Sequence, residues 1–296
     1  MKVLSLFDGI CCGRLALERA GIPVERYVAY EIEPNAIKVS KANWDDIEHC
    51  GDVTVADFNQ YKGFDAIIGG FPCQDLSINK RDRKGLEGKR SGLFWHLVRA
   101  IEEVEPKYFL VENNHKMPQK DQNIITKTLG VEPILIYSGK VSAQSRYRLY
   151  WTNIPNVQQP EDLHIYLKDI VEYGETKEKD FSSLTRFNNK TYANYDRTAR
   201  IGTIGNGGQG ERVYSIEGKS VTLKANGGGR GAKGGLYLIK GTVRKPTPIE
   251  CERLQTLPDN YTACLSDNER RKVIGNGWTV DVIAHILRSI PEEDKN

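Results

Sequence analysis

Apolar and polar positions follow two periods along the first half of the chain. KVLSLF, YVAYEI, FDAIIGG and KYFLVEN are near-continuous runs of Val, Ile, Leu, Phe and Tyr, bounded by Gly, Asp or Asn. Short runs of that composition predict buried strands. Between them, RLALERAG, PNAIKVSKANW and GLFWHLVRAIEEV repeat their apolar residues at helical spacing. Pro34 suits a first helical turn and Pro106 suits a stop. Strand–helix alternation predicts an α/β fold, a parallel sheet with helices on both faces. Ligands in such sheets sit beyond the carboxyl ends of the strands. That rule brings Phe7 to Gly13, Glu31, Asp52, Gly70 to Cys73 and Glu112 onto one rim.

The pattern changes after Trp151. Residues 156–242 are polar and loop-rich, with two glycine clusters, GNGGQG (Gly205 to Gly210) and NGGGRGAKGG (Asn226 to Gly235). They flank ERVYSIEGKSVTLKA, which predicts a hairpin turning near Glu217 and Gly218. Glycine runs of this kind are often flexible linkers. Here Tyr, Val and Leu lie between them and Arg212, Lys224, Arg230 and Lys233 in or beside them, which favours an ordered basic surface. Helical pattern returns in PTPIECERLQTLP and in TVDVIAHILRSI near the end.

Composition narrows the class. The 296 residues carry a net charge of +3, that of a mildly basic protein with length for one large or two modest domains. No apolar stretch is long enough for a transmembrane helix. MKVLSLFDGI turns polar too quickly for a signal peptide, so a cytoplasmic location is expected. The six cysteines form no CxxC pair, which disfavours zinc and predicts reduced thiols.

The rim carries the chemistry. FDGICCG follows the first strand, where glycines let the backbone turn and approach a ligand, but it lacks the GxGxxG spacing of a dinucleotide site. Glu31 stands about twenty residues on, where an acid commonly binds ribose hydroxyls. Asp52 could accept from an adenine amine. Together these acids describe a nucleoside site without a phosphate cradle, as S-adenosylmethionine requires. In GGFPCQDLS, Pro72 fixes the backbone before Cys73 and the glycines let the turn reach the sheet edge. A nucleophilic thiol needs a positive environment. Lys80, Arg81, Arg83, Lys84, Lys89 and Arg90 follow in a glycine-containing loop that could act as a lid. Glu112, in VENN, could carry a proton on the same rim. In QSRYR, alternation puts Gln144, Arg146 and Arg148 on one strand face, suited to phosphate or base contacts.

This ordered set resembles the cytosine-C5 DNA methyltransferase family across nearly the whole chain outside residues 156–242. FDGICCG is similar to the family's first motif, GFPCQDLS to its nucleophile motif, VENN to Glu-Asn-Val and QSRYR to Gln-x-Arg-x-Arg. RKPTPIECERLQTLPDNY (Arg244 to Tyr261) resembles the ninth motif and GNGWTV (Gly275 to Val280) the tenth. FDGI and the Trp of GNGWTV are similar to the eukaryotic de novo branch, while the length is that of bacterial or phage enzymes. Cys11 and Cys12 replace a small pair, often glycines, and Asn114 replaces a valine.

The resemblance implies a Rossmann-like S-adenosylmethionine-dependent sheet, residues 1–155 plus 272–296, and a smaller loop-rich target-recognition domain, residues 156–271. It implies that Cys73 attacks C6 of a flipped cytosine, Glu112 holds N3, and Arg148 contacts O2 with Arg146 in support. Donor binding falls to Phe7, Gly9, Ile10, Glu31 and Ile32, with Asp52, Val53, Pro72, Asn276 and Trp278. DNA contacts fall to Gln74, Ser77, Arg81, Arg90 and Gln144, and in the second domain to Arg212, Thr222, Arg230 and Lys233. The implied partner is double-stranded DNA, the enzyme monomeric, with a cognate restriction endonuclease acting separately. An RNA methyltransferase of the same chemistry is the nearest alternative, and a catalytically inactive DNA-binding relative a more distant one. The glycine-rich segment before PTPIECERLQ favours DNA.

Overall fold

The computed structural model describes residues 1–72, 85–88, 91–188, 197–225, 230–231 and 234–295. The chain divides into two compact units. One comprises Met1–Ile136, Tyr147–Gln159 and Ile283–Asn296, the other Tyr137–Arg146 and Pro160–Val282. The sequence boundary at 155/156 lies four residues from the crossing at 159/160, whereas that at 271/272 lies eleven residues before the crossing at 282/283, which leaves GNGWTV in the second unit; the structure also adds a short excursion at 137–146.

The first unit contains β1 (Lys2–Leu6), α1 (Cys12–Arg19), β2 (Arg26–Tyr30), α2 (Pro34–Asn43), β3 (Ile47–His49) and β4 (Ala66–Gly69). It continues with α3 (Phe94–Val104), β5 (Tyr108–Asn114), α4 (Gln119–Leu129) and β6 (Ile134–Tyr137). After the short β7 (Gln144–Ser145) of the other unit comes β8 (Tyr147–Thr152). The seven-stranded sheet has the order β3-β2-β1-β4-β5-β8-β6. Strands β3, β2, β1, β4 and β5 are parallel, and β8 runs antiparallel to β5. The expected parallel sheet is therefore mixed. The connection from β5 to β8 is interrupted by α4 and β6, so β8 enters from the opposite end.

The predicted strands bury their runs because both faces are covered. Leu4, Leu6, Val28, Ile67 and Val111 meet Phe94, Leu97 and Trp151 in one core cluster. In α3 the buried Phe94, Leu97, Val98 and Val104 recur at helical spacing, and Glu105 in left-handed conformation ends the helix just before Pro106. Pro34 occupies the first turn of α2. Gly69 must be glycine, since a Cβ there would meet the Leu6 carbonyl oxygen at 2.8 Å.

The second unit holds α5 (Leu167–Ile170), β9 (Arg186–Phe187), β10 (Arg200–Thr203), β11 (Arg212–Ser215), β12 (Ser220–Val221), β13 (Leu236–Ile239) and β14 (Thr242–Arg244). The helices α6 (Pro248–Leu254) and α7 (Asp267–Asn276) follow, and α8 (Val280–Arg288) begins here but from Ile283 belongs to the first unit. Its five-stranded sheet has the order β14-β13-β11-β10-β9. The predicted hairpin does not form. The turn at Glu217–Gly218 exists, but β11 pairs with β10 and β13, while β12 pairs in parallel with β7. Val213 and Tyr214 are buried between the two neighbours of β11, and Ser220 bonds instead to the Ala143 carbonyl.

One apolar cluster of this unit joins Phe181, Ile204, Val213, Leu236 and Val243, and Leu167, Tyr237, Leu254 and Ile274 are buried elsewhere in it. Buried ionic groups lie beside these apolar residues. Arg244 and Glu250 pair at 2.6 Å with side chains 4% and 0% exposed, and Arg270 pairs with Glu252 at 2.9 Å. Glu250 also closes the capping box of α6, accepting from Thr247 N–H while its own N–H donates to Thr247 Oγ1. Lys219 donates from Nζ to the carbonyls of Gly139, Ser142 and Ile165.

Candidate active site

The carboxyl ends of β1, β2 and β4 gather one set of sequence-predicted residues. At the end of β1 the chain turns through Phe7, Gly9 and Cys11, all at positive φ (60°, 61° and 56°), before α1 begins. A Cβ on Gly9 would meet nothing within 4 Å, so this face of the turn is open. At the end of β2, Glu31 is fixed by three backbone donors: Gly9 N–H to Oε2, and Ile32 and Glu33 N–H to Oε1, each at 2.8 Å. A carboxylate offers about four acceptor sites, so Glu31 is oriented and still able to accept from a ligand hydroxyl. Ile32 beside it is 67% exposed, an apolar surface without cover. Asp52, three residues beyond β3, is exposed and caps a short 3₁₀ turn through Thr54 N–H at 2.8 Å, a bond that holds its carboxyl below the usual range. Val53 and Ile10 are buried beneath these groups. An open turn, an oriented acid and a bare isoleucine fit the ribose and base of an adenosine-bearing donor.

β4 leads into the nucleophile motif. Phe71 is 3% exposed and packs against Phe94 with ring centroids 5.1 Å apart. Its carbonyl accepts from Asn113 Nδ2 at 3.0 Å, and the Pro72 carbonyl accepts from Ser91 Oγ at 3.0 Å. The backbone immediately before Cys73 is thus clamped from β5 and from the turn before α3. Cys73, Gln74, Ser77, Arg81, Arg90 and Lys233 lie outside the described residues. Among the other cysteines, Cys251 is inert, because burial pushes its thiol up to about 12.

On β5 and β8, Glu112 pairs with Arg148, Oε1 to Nε at 2.8 Å, with side chains 11% and 14% exposed. Glu112 faces Tyr150 and Asn114 faces Arg148 in the antiparallel register. Glu112 and Arg148 are therefore diagonal neighbours on one face of the sheet. Arg148 also donates from Nη1 to the Tyr147 carbonyl at 2.8 Å. His115 meets the same carbonyl through Nδ1 at 3.0 Å, and burial lowers its pKa. Asn114, which stands where the family pattern has valine, accepts from Lys116 N–H through Oδ1 at 3.1 Å.

The single-face reading of QSRYR is corrected. Gln144 lies in β7 and Arg148 in β8, with Arg146 between them, so no continuous strand carries the three. Gln144 is 0% exposed and Arg146 3%. Gln144 donates to the Leu254 carbonyl and to Gln255 Oε1 and accepts from Leu223 N–H. Arg146 donates to the carbonyls of Leu223 and Gly277. Both are fully engaged inside the second unit. Their polar groups satisfy backbone that β7, β12 and α6 leave unpaired.

Elsewhere in that unit Thr222 donates to the Ser145 carbonyl at 2.6 Å. Arg212, on β11, has a sealed Nε without a hydrogen-bond partner. Exposed Arg230 stands over the Phe181 ring at 5.8 Å. Asn276 ends α7, and Trp278 follows before α8. Among the described residues, no helix is long and apolar enough to cross a membrane.

A sheet of this order, with its acids at the strand ends, defines a Rossmann-like methyltransferase of the α/β class. Residues 1–292 match the model of the C-5 cytosine-specific DNA methylases, and the chain belongs to that family of enzymes, which transfer a methyl group from S-adenosylmethionine to C5 of cytosine in DNA. It is similar to the type II methyltransferase M.HhaI of Haemophilus parahaemolyticus, at 31% identity over 98% of this chain and 94% of that protein. The type II methyltransferase M1.ScrFI of Lactococcus lactis subsp. cremoris is 27% identical over 98% of this chain and 78% of its own length. Among solved structures, the methyltransferase EhMeth of Entamoeba histolytica superposes with a TM-score of 0.72 at 16% identity, covering 98% of this chain and 97% of that one, a likeness of fold.

Sequence reasoning missed Asn113 and Ser91. Nothing in their composition separates them from ordinary polar residues, and their role appears only when β5 and the turn before α3 are seen to hold the Phe71 and Pro72 carbonyls.

Proposed function

We propose that this chain methylates C5 of a cytosine flipped out of a specific duplex DNA sequence, with Cys73 as the nucleophile. The observation that carries the reading is the Glu112–Arg148 pair on the same rim as the clamped Phe71–Pro72 segment. A carboxyl and a guanidinium side by side match the N3 and O2 edge of a cytosine ring. Flipping the base costs a few kcal/mol and delivers that edge to the rim.

The residues divide the work as follows. The Cys73 thiolate adds to C6, and the displaced electron pair spreads through the ring to C5, N3 and O2. Glu112 supplies a proton or hydrogen bond at N3, and Arg148 holds O2, so the ring carries that charge at low cost. S-adenosylmethionine, when bound, supplies an electrophilic methyl that C5 takes with its electron pair. A base then removes the C5 proton, the C6–S bond breaks, and the thiolate is regenerated. Phe7, Gly9, Ile10, Glu31, Ile32, Asp52, Val53 and Pro72 are assigned to the donor, with Asn276 and Trp278 contributed by the tenth motif. Gln74, Ser77, Arg81 and Arg90 are assigned to DNA around the flipped base, and the second unit, through Arg212, Thr222, Arg230 and Lys233, to reading sequence.

The type II names of the relatives support DNA as partner and a cognate restriction endonuclease acting separately; a monomer in the cytoplasm completes the proposal. Transfer of labelled methyl from S-adenosylmethionine to duplex DNA and to transfer RNA, side by side, tests the substrate. Incorporation into DNA at one short sequence is expected. Incorporation into transfer RNA alone would overturn the reading.

A further inference from the structure

The acid at the root of the first-motif turn takes no part in the chemistry above. Asp8 stands between Phe7 and Gly9, both in left-handed conformation. Its Oδ1 accepts from Ser5 Oγ at 2.6 Å and from Tyr27 Oη at 2.7 Å. Its Oδ2 is sealed from solvent and has no hydrogen-bond partner. Its backbone N–H donates to the Tyr30 carbonyl at 3.2 Å, and the next N–H, of Gly9, donates to Glu31 at 2.8 Å. One carboxylate therefore ties the turn to β1 and to β2 in the place where Glu31 receives its orientation. An oxygen of a buried carboxylate left unpartnered is costly, and such an arrangement calls for a compensating charge.

We propose that Asp8 is a positioning residue for the methyl donor: its ionised carboxylate holds the Phe7–Cys11 turn on Ser5 and Tyr27, presents Gly9 to Glu31, and favours a cationic ligand over the turn. The inference rests on the reading of this turn as the donor site. S-adenosylmethionine carries a sulfonium and an ammonium against one carboxylate, so it is a net cation. S-adenosylhomocysteine, with a neutral sulfur, is not. A buried anion beneath the turn favours the first over the second.

The charge of Asp8 is adjustable near neutrality. Burial pushes its carboxyl up to about 6, against the pull of the Ser5 and Tyr27 hydroxyls, with the Glu31 carboxylate raising it further and the Cys11 thiol lowering it. No cation is among these groups. A net cation binds the ionised form better, so by linkage donor affinity rises as pH rises through about 6 and levels off above it. If binding lowers the carboxyl by one unit, affinity falls about fivefold between pH 7.5 and pH 5.

Calorimetric titration of the DNA-free protein with S-adenosylmethionine and with S-adenosylhomocysteine, from pH 5 to pH 8, tests this. The expected result is the fivefold fall for S-adenosylmethionine, a smaller one for S-adenosylhomocysteine, and no pH dependence in Asp8→Asn. Tyr27→Phe removes one donor to the carboxylate, so the midpoint should move to higher pH; it also carries the test if Asp8→Asn does not fold. An Asp8→Asn protein that keeps the wild-type pH dependence, or a Tyr27→Phe protein with an unmoved midpoint, overturns the inference. Glu31→Ala serves as the reference. If it binds S-adenosylmethionine as tightly as wild type, the turn is not the donor site, and both the assignment and the inference fall; if it binds weakly while Asp8→Asn stays pH-dependent, the inference alone falls.

Discussion

Replacing Gln144 with alanine separates a DNA contact from a structural brace. The side chain is fully buried and makes three hydrogen bonds: Nε2 to the Leu254 carbonyl at 2.9 Å and to Gln255 Oε1 at 3.0 Å, and Oε1 from Leu223 N–H at 2.9 Å. Two of the partners retain other bonds after truncation. The Leu254 carbonyl keeps Ser142 Oγ at 2.7 Å, and Gln255 Oε1 keeps Thr279 Oγ1 at 2.9 Å. Leu223 N–H loses its acceptor and is left buried. An orphaned buried donor costs about 1–3 kcal/mol, and two further bonds lost without orphaning cost about 1 kcal/mol each. The expected destabilisation is therefore about 3–5 kcal/mol. In a protein of this size 1 kcal/mol shifts Tm by roughly 2–4 °C, so a fall of roughly 10 °C is expected. Scanning calorimetry, with urea unfolding followed by circular dichroism, measures it, and sequencing of methylated cytosines shows whether the recognised motif changes. A loss below about 1 kcal/mol together with a relaxed motif would refute the brace and return Gln144 to the DNA surface.

Three further outcomes follow from the site. Glu31→Ala removes a charge-assisted contact to the donor, worth roughly 1.5–3 kcal/mol, so calorimetry should show S-adenosylmethionine affinity falling about tenfold to a hundredfold with DNA affinity intact. Arg148→Ala leaves Glu112 without its cation at 11% exposure; breaking a buried pair costs about 3–5 kcal/mol, and both stability and methyl transfer should fall, which a neutral result in either would contradict. Arg212→Ala and Arg230→Ala should alter the methylated motif, whereas a uniform loss of affinity with the motif intact would assign them to phosphate contacts.

The first unit was legible because its chemistry sits at strand ends, and strand ends are announced by apolar runs stopping at Gly, Asp or Asn. Phe7, Gly9 and Glu31 were placed on the rim that way, and the structure joins two of them through the Gly9–Glu31 hydrogen bond. The antiparallel β8 was not legible, since direction within a sheet depends on a connection through α4 and β6 whose path local pattern does not encode. The second unit read as loops for a physical reason. Its short strands carry few apolar residues each, and part of its interior is buried ion pairs such as Arg244–Glu250 and Arg270–Glu252, which in sequence look like ordinary surface charges. The same cause misplaced Gln144 and Arg146: alternation predicted a shared face, but their polar groups are consumed by backbone from segments distant in sequence.

The central claim is covalent attack by Cys73 on C6 of the target cytosine. Duplex DNA carrying 5-fluorocytosine at the target position tests it directly, because fluorine cannot leave as a proton does and the thiolate cannot then be released. Incubation with S-adenosylmethionine followed by denaturing electrophoresis and peptide mass spectrometry should reveal a cofactor-dependent protein–DNA species linked through Cys73 and absent from Cys73→Ser. A stable adduct in Cys73→Ser, or one mapped to another residue of the wild-type chain, would contradict the account.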